Sequence, residues 1–316
     1  MDISVVIPCF NEEDSILPLA RALHGTLISM KRSFEVIFVD DGSRDRTPQR
    51  LAEILGLDSR VRVIQLARNC GQTAALSAGI DHARGQYIVA MDADLQNDPV
   101  DIPRIVHELD RGFDVVSGWR RSRKDHFVRR RLPSLIANSI LASVSGVKLH
   151  DFGCTLKGYR NEFLRRVPMY SDMHRYLPAF AASMGARVKE VEVRHHPRRF
   201  GRSKYGISRI YRVLMDILLL QMLVHFAFRP LHWFGLASVV AFWLCTGILL
   251  VSLFPVSDSA LLLEEFSTVV FPSIFLLGTY LGTTLLSLGF VCELANRVDD
   301  SEMRQMFTVR DLETAA

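Results

Sequence analysis

The 316-residue sequence contains no Cys-x-x-Cys pair. Its five cysteines, Cys9, Cys70, Cys154, Cys245 and Cys292, are odd in number and widely spaced. That argues against a disulfide framework and a zinc site, and fits a reducing compartment. No Gly-x-Gly-x-x-Gly follows the first predicted strand and no Gly-x-x-x-x-Gly-Lys-Ser/Thr occurs. A dinucleotide oxidoreductase and a P-loop nucleotidase are therefore disfavoured. The opening residues MDISVVIPCF lack a basic region, so no signal peptide is expected. No aromatics interleave the arginine runs as a stacking platform for single-stranded nucleic acid would require. Charge of one sign is also nearly balanced, at a net +4.

What is present is unevenly placed. Residues 1–205 read as a soluble domain, whereas residues 233–291 are almost wholly apolar. Trp233 to Phe254 and Phe266 to Val291 carry no charge over 22 and 26 residues. A spanning helix needs about 20 apolar residues, so both qualify. Between them lies PVSDSALLLEE, with acids and no Lys or Arg. Arg229 precedes the first run, and Arg297, Arg304 and Arg310 follow the second. The positive-inside rule then predicts that both termini, and the soluble domain, are cytoplasmic. Residues 206–230 are predicted to form an amphipathic helix in the membrane interface, with Arg209, Arg212 and Asp216 on one arc. Pro133 to Val147 is a second interfacial candidate, and residues 293–316 form a cytoplasmic tail. Gly278 and Gly282 make a small-xxx-small pattern suited to close helix packing.

Within the soluble domain, β-branched runs alternate with helical periodicity. Strands are predicted at 3–8, 34–40, 61–66, 86–92 and 113–118, and helices at 15–30, 72–84 and 99–111. This predicts an α/β fold with a mostly parallel sheet and helices on both faces. Ligands of such sheets sit at the carboxyl ends of the strands. There the sequence places Asn11 and Glu12, Asp40 and Asp41, Asp92 and Asp94, and Arg120. Of Asp92 and Asp94, one carboxylate is predicted to face a ribose or base and the other a hard divalent cation, with the Gln96 amide nearby. Asp40-Asp41-Gly42-Ser43 suits both a tight turn and a nucleotide contact. Arg120, Arg121, Arg123, Lys124 and Arg129–Arg131 form one basic cluster, and Arg194, Arg198, Arg199, Arg202 and Lys204 another. Both predict an anionic partner: phosphate, an anionic membrane face or nucleic acid. The acid-lined strand ends oppose nucleic acid. His195-His196 reads as part of a basic strand, not a metal pair, and Cys154 as packing.

The segments VVIPCFNEE, FVDDGSRDRT and RNCGQTAALSAGIDHARGQYIVAMDADLQNDP resemble family 2 glycosyltransferases of GT-A (Rossmann-like) fold. DLQNDP, HDFGCTLKGYR and RRFGRSKYG resemble the dolichyl-phosphate mannosyltransferase-like branch, in its bacterial subset with two membrane helices. The resemblance covers about residues 1–230 and implies roles residue by residue. Pro8, Phe10 and Glu12 would line the nucleotide pocket, and Asp40 and Asp92 would contact the nucleotide. Asp92, Asp94 and Gln96 would hold Mg²⁺ or Mn²⁺. Arg120, Arg129, Arg130 and Arg131 would meet the acceptor phosphate, and Arg202 and Lys204 would close over the diphosphate. Asp151 is left as a general base, an orienting group for Arg120 or Lys157, or a turn cap. The Gln-x-x-Arg-Trp signature of processive synthases is missing, so one sugar per cycle is expected. The implied reaction is inverting transfer from UDP-glucose to undecaprenyl or another polyprenyl phosphate at a bacterial inner membrane. GDP-mannose or a UDP-aminoarabinose derivative are the alternative donors, and an inert membrane adaptor the alternative class. The resemblance also implies a homotetramer, with the FTVR tail as an added strand.

Overall fold

A computed structural model describes residues 1–56, 58–121, 147, 149–165, 173–197, 230–252 and 261–298. These fall into two compact units, one within residues 1–197 and one within 230–298. Several expectations lie outside the described residues: Arg123, Lys124, Arg129–Arg131, the 133–146 segment, Arg198, Arg199, Arg202, Lys204, the interfacial helix over 206–228 and the 299–316 tail.

The first unit is built on a seven-stranded sheet. Its strands are β1 (Ile3–Cys9), β2 (Phe34–Asp40), β3 (Val61–Gln65), β4 (Tyr87–Ala90), β5 (Val115–Trp119), β6 (Lys157–Arg160) and β7 (Val188–Glu192). The spatial order is β3-β2-β1-β4-β6-β5-β7, and β6 alone runs antiparallel to its neighbours. The mostly parallel sheet is thus as expected. Every residue of β2 and β4 is buried, and all but Pro8 of β1. That is the signature of strands covered on both faces, and it accounts for their mostly apolar sequences, in which the buried Ser4 and Glu35 bond each other at 2.7 Å. Helices α1 (Ile16–Ser29), α2 (Thr47–Leu55), α3 (Gln72–His82) and α4 (Ile102–Asp110) connect the first five strands. A short α5 (Asn161–Leu164) and α6 (Leu177–Ser183) follow β6. The α1 helix buries Ile16, Leu19, Leu23 and Leu27, spaced at three and four residues as one helical face requires.

Two boundaries differ from expectation for a physical reason. β4 ends at Ala90, because pairing with β1 and β6 stops at Val6 and Lys157. Asp92 and Asp94 therefore lie on the loop beyond the strand. The expected 99–111 helix begins as a 3₁₀ turn, Pro99–Asp101, whose start is capped by the Asp98 side chain accepting from Val100 N.

In the second unit, α7 (Pro230–Ser252) and α8 (Leu261–Val298) are the two expected apolar helices. Their windows Pro230–Leu250 and Val270–Ala295 have mean hydropathies of 2.0 and 1.8, yet only 11% and 17% of these residues are buried. Such exposure is opposite to that of a soluble core helix, and both are candidate membrane-spanning helices. The glycines of α8 sit where α7 comes closest. A Cβ on Gly278 would collide with Cys245 Sγ, and one on Gly282 would stand 3.0 Å from the Phe242 ring. Ser238 Oγ donates to Gly282 O at 2.7 Å across the same seam.

α3 approaches the sheet through Gly79, where a Cβ would collide with Val6 Cγ1 and lie 3.0 Å from Val39 Cγ2. Gly25, inside α1, has open space instead. Gly79→Leu should therefore destabilise the first unit by about 1–3 kcal/mol through overpacking. Gly25→Ala should stabilise it by about 0.5–1 kcal/mol through chain entropy. Thermal melts of the full chain followed by near-ultraviolet circular dichroism measure both.

Candidate active site at the carboxyl ends of the parallel strands

The chain steps outward from β1 to β2 to β3, then returns to the far side of β1 for β4. Crossovers diverge at this reversal and leave a crevice at the strands' carboxyl ends. A cleft of about 220 Å³ occupies that place. It is lined by Pro8 and Cys9 at the end of β1, Phe10 and Glu12 beyond it, Asp41 after β2, Asn69, Gly71 and Gln72 at the entry to α3, and Asp92 to Asp94 after β4.

The turns after β1 and β2 are stapled to each other. Asn11, with φ of 54°, accepts from Arg44 N at 2.8 Å through Oδ1, and its N–H donates to Ser43 Oγ at 2.9 Å. Glu12 N donates to Thr47 Oγ1 at 2.8 Å, and Ser15 Oγ donates to the Glu12 carboxylate at 2.8 Å. Of the two adjacent aspartates, Asp41 lines the cleft. Its carboxylate accepts from Cys70 N at 2.7 Å and Gly71 N at 2.9 Å, binding the α3 entry to the β2 turn. Asp40 is buried behind it and accepts from Ser43 N at 3.0 Å and Gln65 Nε2 at 3.4 Å. Gly42 has φ of +68°, and a Cβ there would lie 2.7 Å from Arg68 C, so the turn requires glycine on both counts.

Asp92 and Asp94 share the other wall. Asp92 is half-buried and accepts from Gln72 Nε2 at 2.6 Å. Asp94 is buried and accepts from Gln96 N at 3.1 Å across a turn whose middle residue, Leu95, has φ of 60°. The loop is then pinned from outside: His196 N donates to Gln96 O, and Asn97 Nδ2 donates to Thr155 Oγ1 at 2.7 Å. Asn97 also bridges His195, and His196 Nε2 meets Asp98 Oδ2 at 3.1 Å, so the paired histidines brace the loop. Burial and the neighbouring Asp94 push the Asp92 carboxyl up to about 6. A Thr155 hydrogen bond and the charges of Arg120 and Arg175 oppose the rise.

This donor set fits a hard divalent cation. Two carboxylates in a crevice that penalises their charge are what such an ion neutralises. No cluster of three His, Cys, Asp or Glu is found among the described residues.

Arg120 and Asp151 form a buried two-point ion pair. Arg120 Nε donates to Oδ2 at 2.7 Å and Nη2 to Oδ1 at 3.0 Å, with 10% and 8% side-chain exposure. Gly153 N also donates to Asp151 Oδ1, at 3.1 Å. Asp151 is therefore an orienting group and turn cap by geometry, and its oxygens are engaged as acceptors. The pair occupies two of the five guanidinium N–H groups and leaves three for other acceptors. Gln72, Thr155, His174 and Arg175 were not singled out in the sequence. Gln72 and Thr155 lie inside the family-like segments but carried no role there, and His174 and Arg175 lie in none; folding joins all four to the site.

A mostly parallel sheet with an acid pair beside its point of reversal defines a GT-A-type transferase domain. The profile of glycosyl transferase family 2 matches residues 4–167. The chain is similar to a dodecaprenyl-phosphate galacturonate synthase of Rhizobium johnstonii, 45% identical over 74% of this chain and 71% of the relative. An undecaprenyl-phosphate 4-deoxy-4-formamido-L-arabinose transferase of Shewanella sediminis is 31% identical over 98% of this chain and 92% of its own. The fold resembles that of glucosyl-3-phosphoglycerate synthase from Mycobacterium tuberculosis in complex with Mn²⁺, UDP and phosphoglyceric acid. Its TM-score is 0.55 at 21% identity, over 71% of this chain and 78% of that one. The chain belongs to glycosyl transferase family 2 and is a glycosyltransferase.

The raised Asp92 carboxyl sets a sign for stability. Its folded pKa lies above its ordinary 3.8, so the folded state is favoured below about 3.8 and loses that advantage as pH rises through about 6. Without divalent cations, Asp92→Asn should be more stable than the native protein at pH 7, by on the order of 1 kcal/mol. The gap should close toward pH 4, as read by thermal melts in a chelator.

Proposed function

We propose that this enzyme transfers one sugar from a nucleoside diphosphate donor to a polyprenyl phosphate in the cytoplasmic leaflet of a bacterial inner membrane, with inversion. The observation that carries the reading is the Asp92–Asp94 pair at the cleft, set beside an arginine held in place by Asp151. The two apolar helices and the printed activities of the relatives support the lipid acceptor. The expectation from the sequence was UDP-glucose. The relatives favour a nucleoside diphosphate hexuronate or the aminoarabinose derivative over it.

The chemistry follows from charge. A lipid monophosphate has a second pKa of about 6, so its attacking oxygen is ionised at neutral pH and needs no base. Asp151 accordingly serves as an orienting residue. The difficulty is to bring this dianion beside a diphosphate. Asp92 and Asp94, with Gln96 beside them, hold Mg²⁺ or Mn²⁺, which when bound supplies the counter-charge for the leaving diphosphate. Pro8, Phe10, Glu12 and Asp41 form the wall that receives the nucleoside, and Asp40 fixes the turn that presents Asp41. Arg120 directs its remaining N–H groups to the acceptor phosphate. Arg129, Arg130 and Arg131 are assigned to the same phosphate, and Arg202 and Lys204 to the diphosphate, on sequence alone. Fixed charges aimed at developing charge supply the main catalytic effect.

The test is extraction of lipid product after incubating membranes containing the protein with labelled UDP-galacturonate, UDP-glucose, the UDP-aminoarabinose derivative and GDP-mannose. One donor should give a polyprenyl-phosphate sugar. Asp94→Asn should lower that rate by about 100-fold or more, several kcal/mol of charge stabilisation being lost. Addition of Mn²⁺ should raise the melting temperature of the native protein and not of Asp94→Asn. Lipid product from no donor overturns the reading, and full activity of Asp94→Asn overturns the metal assignment.

A further inference from the structure

Lys157 is an unexpected residue to find on β6, where it is only 2% exposed. Its Nζ donates to three backbone carbonyls: Phe152 O at 3.1 Å, His174 O at 3.3 Å and Arg175 O at 3.1 Å. An ammonium has three donors, so its capacity is filled. The three acceptors belong to two separate segments. Phe152 adjoins Asp151, which holds Arg120. His174 and Arg175 belong to the 3₁₀ turn Met173–Arg175. That turn is fixed on its other side by a buried hydrogen bond between His174 Nδ1 and Thr73 Oγ1, at 2.7 Å. Thr73 follows Gln72, the residue bonded to Asp92.

A neutral side chain of similar shape would fill the same space without the penalty of burying a charge. What it would lack is a three-way donor joining the Asp151 segment to the Arg175 turn. The first segment holds Arg120 through Asp151 and the second contains Arg175, and the charges of both arginines act on Asp92. We propose that Lys157 is a positioning residue, whose ammonium ties the two segments together and so sets Arg120 and Arg175 in register to receive the acceptor phosphate. The proposal deepens the transfer reading above and rests on it.

Protonation gives the proposal a second handle. Burial, against the raising effect of Cys154 and Asp151 and with the charges of Arg120 and Arg175 acting the same way as burial, lowers Lys157 from 10.5 to about 8. The ammonium is thus present below about pH 8 and lost above it. A neutral amine retains two N–H groups, leaving one of the three carbonyls without its donor. The other groups facing Lys157 do not titrate near pH 8. Burial pushes the Cys154 thiol up to about 11 and holds the His174 imidazole well below its usual range, hence neutral. The arginines stay charged throughout. A phosphate acceptor with a pKa near 6 is fully ionised across the same window.

The experiment is steady-state kinetics of the full chain in detergent, with undecaprenyl phosphate and the active nucleotide sugar varied separately from pH 7 to 9. Lys157→Met should raise the lipid KM by about 10-fold or more, as loss of a charged hydrogen-bonding group does, with the nucleotide KM within about 3-fold. In the native protein the lipid KM should rise through pH 8, and in Lys157→Met it should be flat. A native lipid KM independent of pH from 7 to 9 overturns the proposal, even where the variant does not fold. Equal effects of Lys157→Met on both KM values, or none, also overturn it while leaving transfer itself intact. A native protein that puts no sugar on lipid overturns the transfer reading and this proposal together.

Discussion

Two carboxylates confined to one crevice are the constraint around which the first unit is organised. Asp92 and Asp94 repel each other, and burial deepens the penalty enough to lift Asp92 to about 6. Left alone, such a pair would be expelled toward solvent or neutralised by protons. The fold prevents both. Gln72 holds Asp92 from the α3 side, the turn at Leu95 folds the chain so that Gln96 N caps Asp94, and the 195–196 strip braces the loop from beyond. Arg120 and Arg175 add charge of the opposite sign at a distance. The remaining negative charge is a local cost to stability, and it is this charge that the proposed cation would neutralise.

The parallel half of the sheet was legible in the sequence, and the reason is burial on both faces. β1, β2 and β4 are buried on both faces, so their sequences are mostly apolar runs, interrupted only by Ser4 and Glu35 before the acids at their ends. The strand ends located the site for the same reason: a chain leaving a parallel sheet places its first polar residues at the carboxyl edge. β6 was not legible. It is four residues long, Lys-Gly-Tyr-Arg, and buries a lysine that hydropathy assigns to the surface. Gly158 is there because Ile105 of α4 leaves no room for a Cβ, a tertiary fact with no local signature. β7 alternates between half-buried and exposed residues, as an edge strand does, and its pairing with β5 spans over seventy positions of sequence.

Within the site, residue types were easier to predict than residue partners. Asp40 and Asp41 are chemically identical and adjacent, and only the pleat decides which one looks into the cleft. Asp40, level with Cys9, is buried and does not line the cleft, whereas Asp41 beyond it lines it, bonded to the α3 entry. Asp151 left three roles open because its sequence neighbours suit all of them. Its two-point bond to Arg120, 31 positions away, is the observation on which the orienting role proposed above rests. In the second unit the difference is smaller, since hydropathy and helix length depend on the same property. The glycines of α8 gained their meaning from Cys245, Phe242 and Ser238 on the facing helix.

The Arg120–Asp151 pair also bears on how a site for two anions avoids becoming a trap for one. A mobile arginine in a basic segment would collapse onto whichever phosphate arrived first. Fixing Nε and Nη2 on a carboxylate removes that freedom and offsets the guanidinium's charge, yet leaves three N–H donors. Binding then depends on geometry more than on bulk attraction, so an acceptor must be correctly placed to be held. The same arrangement reduces reorganisation when charge moves from the attacking oxygen to the leaving diphosphate, because the donors are already oriented. On this view the buried ion pair contributes little to folding stability and is retained for the direction it gives to one guanidinium.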